Sequence, residues 1–216
     1  MIISFKHNFI YWRPLKVGGS SVLQALGEYC GDDDIVNNPV PIVDVLRLGL
    51  KLYGKNFTKY KRHMFPDAIK EVANIDWDSF FKFTIVRNPW DMAVSMYHWE
   101  NWMKPGSTFT EWLHRESLNP EPYFFTDDYY FKDGKRTANY YLRYENLESE
   151  YKRICEWIGI PYKKLPMIKN YSRVDKKHYS NYYNLEDLEI VGRKFPQTIK
   201  EFGYEFKGDM ANRTAM

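Results

Sequence analysis

The sequence predicts an α/β fold, a three-layer sandwich built on a mainly parallel sheet, and three observations carry that prediction. Residues 9–13 (FIYWR) form an apolar run that stops at Pro14. A KVGG turn then leads into SSVLQALGEYC, where Val22, Leu23, Leu26 and Tyr29 recur at helical spacing. Residues 80–87 (FFKFTIVR) give the strongest strand signal in the chain; Asn88-Pro89 breaks it, and 90–103 continues as an amphipathic helix. The order strand, turn, helix thus occurs twice. Strands alternating with helices imply parallel strands joined by helical crossovers.

The remaining elements follow in chain order. Gly31 and the aspartates at 32–34 end the first helix, 41–52 reads as a helix, and 66–73 as another with Pro66 at its start. Residues 105–126 are rich in Pro, Gly, Ser and Asn around one short helix and read as loops over a face. Residues 129–131, the turn KDGK and 138–144 predict a hairpin. A helix over 148–158 ends at Gly159 and Pro161; 163–184 is basic and tyrosine-rich without periodicity; a helix over 185–194 and the segment FPQTIKEFGYEF close the fold. One domain over residues 1–207 is expected, with 208–216 as a frayed tail.

Composition narrows the function classes. At 216 residues the chain fits one domain with a real core, and a net charge of +3 is too small to argue for a nucleic-acid partner. That charge still leaves room for a local basic pocket around a small polyanion. Cys30 and Cys155 show no CxxC or Cys/His spacing, which predicts reduced thiols and neither a disulfide framework nor a zinc site. The first residues, MIISFKHNFIYWRPLK, lack a signal-peptide core, and no stretch approaches a membrane span, so a soluble cytoplasmic protein without a membrane partner is expected. Aromatic residues make up 18% of the chain, enough for some rings to line a groove for a base or a sugar beyond those that fill the core.

Lys16, Val17, Gly18, Gly19, Ser20 and Ser21 lie where a strand meets a helix, a P-loop-like strand–loop–helix unit suited to holding phosphate. Glycines let backbone N–H groups turn inward, the helix start adds unpaired donors and a positive dipole end, and the serines add hydroxyls. The lysine precedes the glycines, whereas a GxxxxGK[ST] nucleoside-triphosphate loop places it after them. Taken alone, the same letters read equally well as a Gly-Gly turn with Ser20 as N-cap.

The second unit, FTIVRNPWDMAVS, puts Arg87 at the carboxyl end of a strand, the edge where α/β folds bind ligands, and Ser95 two helical turns further on. A guanidinium and a hydroxyl make a sound pair for one terminal phosphate. With PLKVGGSSV and FTIVRNPWDMAVSMY in this order, and Tyr144 in LRYENL, the sequence resembles the sulfotransferases that use 3′-phosphoadenosine 5′-phosphosulfate (PAPS). The ending SNYYNLEDLEIV…FGYEF is similar to their carbohydrate-type branch. These landmarks span roughly residues 9–206.

The resemblance implies the sulfotransferase fold, with the first loop on the 5′-phosphosulfate, Arg87 and Ser95 on the 3′-phosphate, and Tyr144 near the adenine. It implies PAPS as donor, PAP as product, no metal, and a saccharide or other small-molecule acceptor, the oligomeric state staying open. Val17 stands where threonine is commoner. Val22 stands where the cytosolic small-molecule branch carries a base-stacking tryptophan, so the adenine-stacking partner is left unidentified. A P-loop small-molecule kinase and a non-catalytic PAP-binding module are the alternatives.

Sulfuryl transfer needs an in-line arrangement and stabilisation of charge on the leaving phosphate, a role that falls to Lys16. The acceptor hydroxyl needs a base, and His63 in YKRHMFPDAIK is the candidate, with Glu100 and Asp67 next. His98 reads as packing, and His7, His114 and His178 have weaker cases. Arg173 and Lys176, with Lys177 and His178, form a candidate lid over the 3′-phosphate. Trp99, Trp102, Trp112 and 123–125 form a candidate sugar-facing wall.

Overall fold

A computed structural model of the chain describes residues 1–37, 42–51, 53–61, 63–119, 126–168, 175 and 177–208. Its strands are β1 (Ile2–Ser4), β2 (Phe9–Tyr11), β3 (Ile35–Val36), β4 (Phe81–Val86), β5 (Phe131–Lys132), β6 (Lys135–Arg136) and β7 (Tyr140–Arg143). Its helices are α1 (Gly19–Gly27), α2 (Ile42–Leu48), α3 (Pro66–Ala73), α4 (Pro89–Met103), α5 (Phe109–Leu118), α6 (Leu147–Trp157), α7 (Leu185–Lys194) and α8 (Pro196–Phe202). The backbone groups into two compact units: Met1–Val86 with Arg136–Lys169, and Arg87–Lys135 with Asn170–Met216.

The first unit holds a five-stranded sheet in the order β3-β1-β2-β4-β7. β2, β4 and β7 run parallel, whereas β1 is antiparallel to both β2 and β3. The sheet is therefore mixed and not mainly parallel as expected. The cause is β1, which the sequence reading left out. Residues 5–8 return the chain directly into β2, and so short a connection cannot make the crossover of a dozen or more residues that parallel strands need. Asp34 locks this return: its carboxylate accepts from the Ser4 hydroxyl (2.7 Å) and from the amides of Phe5 (2.7 Å) and Lys6 (3.1 Å).

The core of this unit is aliphatic and aromatic. Ile10, Tyr11, Phe83, Ile85, Val22 and Leu23 are sealed from solvent, with Tyr11 stacked on Phe83 at 5.2 Å. The hairpin foreseen between 129–131 and 138–144 is smaller than expected. β5 and β6 form it around Asp133-Gly134, both at positive φ as a tight Asp-Gly hairpin turn requires. Residues 140–143 instead join the main sheet as β7 beside β4.

In the second unit α4, α5 and α7 pack around Phe109, Trp112 and Tyr183. Asp127 caps α8, accepting from the amides of Gln197 (2.8 Å) and Thr198 (3.2 Å). Among the described residues no helix is long and apolar enough to cross a membrane.

Candidate functional site

Seven residues separate β2 from α1, and their geometry is set by backbone conformation. Lys16 and Gly18 both take left-handed φ (58° and 76°), and Gly18 is the N-cap of α1, its carbonyl accepting from the Ser21 amide at 3.1 Å. Being glycine, this N-cap has no side chain to offer the helix start. The Ser21 amide is thus satisfied by the cap carbonyl, and the amides ahead of it lie at the positive end of the helix. The alternative of Ser20 as N-cap is not realised, because glycine tolerates the left-handed turn at 18 and the helix has begun before Ser20.

The space around the loop is tight. A Cβ on Gly18 would lie 3.0 Å from the side chains of Tyr144 and Leu147, and one on Gly19 would lie 2.6 Å from Arg13 Cβ and 2.9 Å from Tyr11 Oη. Side chains at either position would press into these neighbours, so the close packing behind the loop calls for glycine at both. Val17 turns its side chain into the core and offers only its backbone to that face. Ser20 Oγ accepts from Arg13 Nη1 at 2.6 Å, and Ser21 Oγ accepts a long bond (3.5 Å) from the Ile168 amide.

His63 belongs to the same unit, and its Nδ1 lies 3.2 Å from the main-chain oxygen of Arg13. A carbonyl can only accept, so Nδ1 carries the proton and the neutral ring has its lone pair on Nε2. His63 also sits at positive φ (55°). Among the described non-glycine residues with positive φ, the others are Asn, Asp and Lys16. Asn, Asp and His enter this region more readily than other side chains, whereas Lys16 does so under strain that tertiary structure must hold. Tyr144 opens a short 3₁₀ turn, Tyr144–Asn146, and sets its ring beside Gly18. The structure thus brings together the loop, Tyr144 and, through Arg13, His63.

In the second unit, Arg87 directly follows β4 in the chain and is 6% exposed. Its Nε donates to Asp91 Oδ2 at 2.8 Å and its Nη2 lies 2.7 Å from the same oxygen. Asp91 holds one edge of the guanidinium and fixes its orientation. Asn88 caps α4 by accepting from the amides of Trp90 (3.0 Å) and Asp91 (3.3 Å), with Pro89 at the first helical position. Ser95 is half-buried on α4.

Glu100 accepts from Trp112 Nε1 (3.0 Å) and Arg115 Nη2 (2.6 Å), which makes it an anchor for α5, and Trp112 is core. Trp102 is 58% exposed, and Asp67 is exposed in the first turn of α3. His98 pairs with the Tyr182 hydroxyl (2.7 Å), in keeping with packing. Arg173, Lys176 and residues 123–125 lie outside the described residues. Among the described residues no group of three or more His, Cys, Asp or Glu side chains could hold a metal ion.

Two residues escaped the sequence reading, Arg13 and Asp91. A signal for the first existed: FIYWR and FFKFTIVR both end on arginine before a turn and a helix, yet only the second arginine was read as functional.

No curated protein matches the chain. A solved structure of a mouse sulfotransferase, SULT7A1, complexed with PAP aligns over 97% of this chain and 71% of that chain, at 16% identity and a TM-score of 0.39. Residues 77–203 match the family described as "Sulfotransferase domain", a span that contains Arg87, Ser95 and Tyr144 and begins after the loop at 16–21 and His63. That span is more than half of the chain, and the chain accordingly belongs to the sulfotransferase domain family.

Proposed function

We propose that the protein is a PAPS-dependent sulfotransferase, one domain over residues 1–207, that sulfates a hydroxyl or amine of a small acceptor, with a saccharide of the carbohydrate-type branch as the preferred class and the cytoplasm as its place of action. The observation that carries this reading is the loop at 16–21: a helix start whose N-cap is a glycine, entered through two left-handed residues, with glycines where an added Cβ would crowd its neighbours. Family membership and the FTIVRNPWDMAVS segment support it.

The donor supplies an activated sulfuryl group on a phosphate leaving group. In the proposal the backbone amides of 17–20 and the hydroxyls of Ser20 and Ser21 bind the 5′-phosphate. Lys16 neutralises the charge that develops on the leaving oxygen. Arg87 and Ser95 bind the 3′-phosphate, with Arg173 and Lys176 as further cations for it, and Tyr144 borders the adenine. His63 takes the acceptor proton on Nε2, the nitrogen that its bond to the Arg13 carbonyl leaves basic.

Calorimetric titration with PAP, ADP and ATP, with and without Mg²⁺, tests the donor. Preference for PAP that disappears in Arg87→Ala is the expected result. Tighter binding of Mg·ATP would overturn the proposal in favour of a small-molecule kinase. PAP binding without transfer to any acceptor would indicate a non-catalytic module.

A further inference from the structure

Arg13 lies at the end of the first strand run, and its side chain is 5% exposed. A guanidinium is seldom withdrawn from water this far without a task that holds it there. Its stem runs under the anion loop so closely that Gly19 has no room for a Cβ: Arg13 Cβ and Cδ stand 2.6 and 3.1 Å from where one would be. Its Nη1 reaches Ser20 Oγ at 2.6 Å.

The polarity of that last bond is not a matter of choice. A guanidinium has donors only, so Ser20 Oγ is the acceptor, and the hydroxyl hydrogen of Ser20 must be given to something else. Ser20 sits in the first turn of α1, whose glycine N-cap has no side chain to offer the amides. A hydroxyl that accepts from a cation is also polarised into a stronger donor. Beside it, the Arg13 carbonyl receives the Nδ1 proton of His63.

We propose that Arg13 is a positioning residue of the donor site, which commits the Ser20 hydroxyl to donate into the anion loop. The inference rests on the reading of 16–21 as the 5′-phosphate loop and extends it to a side chain outside that motif. Arg13 acts on the ligand through Ser20.

The test is a double-variant cycle with two ligands. Affinities for PAP and for adenosine 3′-monophosphate, which lacks the 5′-phosphate, are measured by calorimetry. The proteins are the wild type, Arg13→Gln, Arg13→Lys, Ser20→Ala and Arg13→Gln/Ser20→Ala, with thermal melts to verify folding. Ser20→Ala is expected to weaken PAP about tenfold in the wild-type background, the scale of one hydrogen bond to a charged group, and by less than about threefold once Arg13 is glutamine. Adenosine 3′-monophosphate is expected to bind all variants alike, and Arg13→Lys to recover part of the PAP affinity.

Equal losses for the two ligands, or additive effects in the double variant, overturn the role given to Arg13. If Arg13→Gln fails to fold, the same cycle is closed with Arg13→Met, which keeps the apolar stem and removes the donors, and additivity there overturns it equally. A wild-type protein that binds PAP no tighter than ADP overturns the donor reading itself, and that outcome is visible before any variant is made.

Discussion

Gly19→Ala probes the loop with the smallest available change. The added methyl would lie 2.6 Å from Arg13 Cβ, 2.9 Å from Tyr11 Oη and 3.1 Å from Arg13 Cδ. The first two cannot step aside: a Cβ is fixed by its own backbone, and Tyr11 is wholly buried with its hydroxyl donating to the Gly19 carbonyl at 3.2 Å. Gly19 is not in the left-handed region, so space alone opposes the substitution. Overpacking of a closed site costs about 1–3 kcal/mol, and alanine recovers about 0.4–1 kcal/mol by restricting the unfolded chain. A net loss of about 1–2 kcal/mol follows. For a chain of this length that lowers Tm by roughly 2–8 °C. Gly192→Ala on α7 is the matched control, since nothing stands within 4 Å of its Cβ, and it is expected to gain up to about 1 kcal/mol. Thermal and urea unfolding read both signs. A Gly19→Ala protein that melts at or above the wild type would falsify the close-approach argument, as would a Gly192→Ala protein that loses as much stability.

Lys16→Ala is expected to cut turnover by more than tenfold while PAP affinity changes less, as measured by parallel kinetics and calorimetry; unchanged turnover removes Lys16 from the mechanism. His63→Ala should abolish the acidic limb of the pH–rate profile along with most activity, and an active variant with only a shifted profile would place the base elsewhere. Burial holds the Asp187 carboxyl above the ordinary aspartate range, against the opposing pull of Thr110, the Asn184 amide and His114, with Glu186 pushing the same way as burial. A raised folded-state value means stability fully present below the unfolded pKa of about 4 and lost as pH rises through the folded one. The urea midpoint of the wild type should therefore fall relative to Asp187→Asn across that window, and parallel curves would contradict this. Burial, with Asp34 nearby, pushes the Cys30 thiol up to about 12, and burial also raises Cys155, so neither should react quickly with iodoacetamide at pH 8 in the folded protein. Rapid labelling detected by mass spectrometry would argue otherwise.

What the sequence made legible was local. The two strand–turn–helix units, the breaks at Pro14 and Asn88-Pro89, and the capped starts of α4 and α7 depend on a few adjacent residues, whose periodicity and turn chemistry can be read directly. β1 and β3 were not legible because strands of three and two residues carry no period, and they form by pairing with β2 and with each other. The merging of 138–144 with a hairpin had the same origin: β7 is placed by its neighbour β4, which lies more than fifty residues back. At the candidate site, the loop and Arg87 could be named from motif order. The partners that give them polarity could not. Arg13 meets Ser20 and His63 through space, and the Arg87–Asp91 pair sits across a helix start that the motif alone treats as a spacer.

The left-handed backbone at Lys16 sets stability and catalysis against each other in directed evolution. Asparagine occupies that region at lower cost, by about 1 kcal/mol for a typical side chain, so Lys16→Asn should fold more stably than the parent. A library sorted only for heat or protease resistance would drift toward asparagine at this position and lose activity as it improved. The lysine therefore serves as a marker: a lineage that retains it is being kept for its chemistry, because the fold alone would favour another residue there.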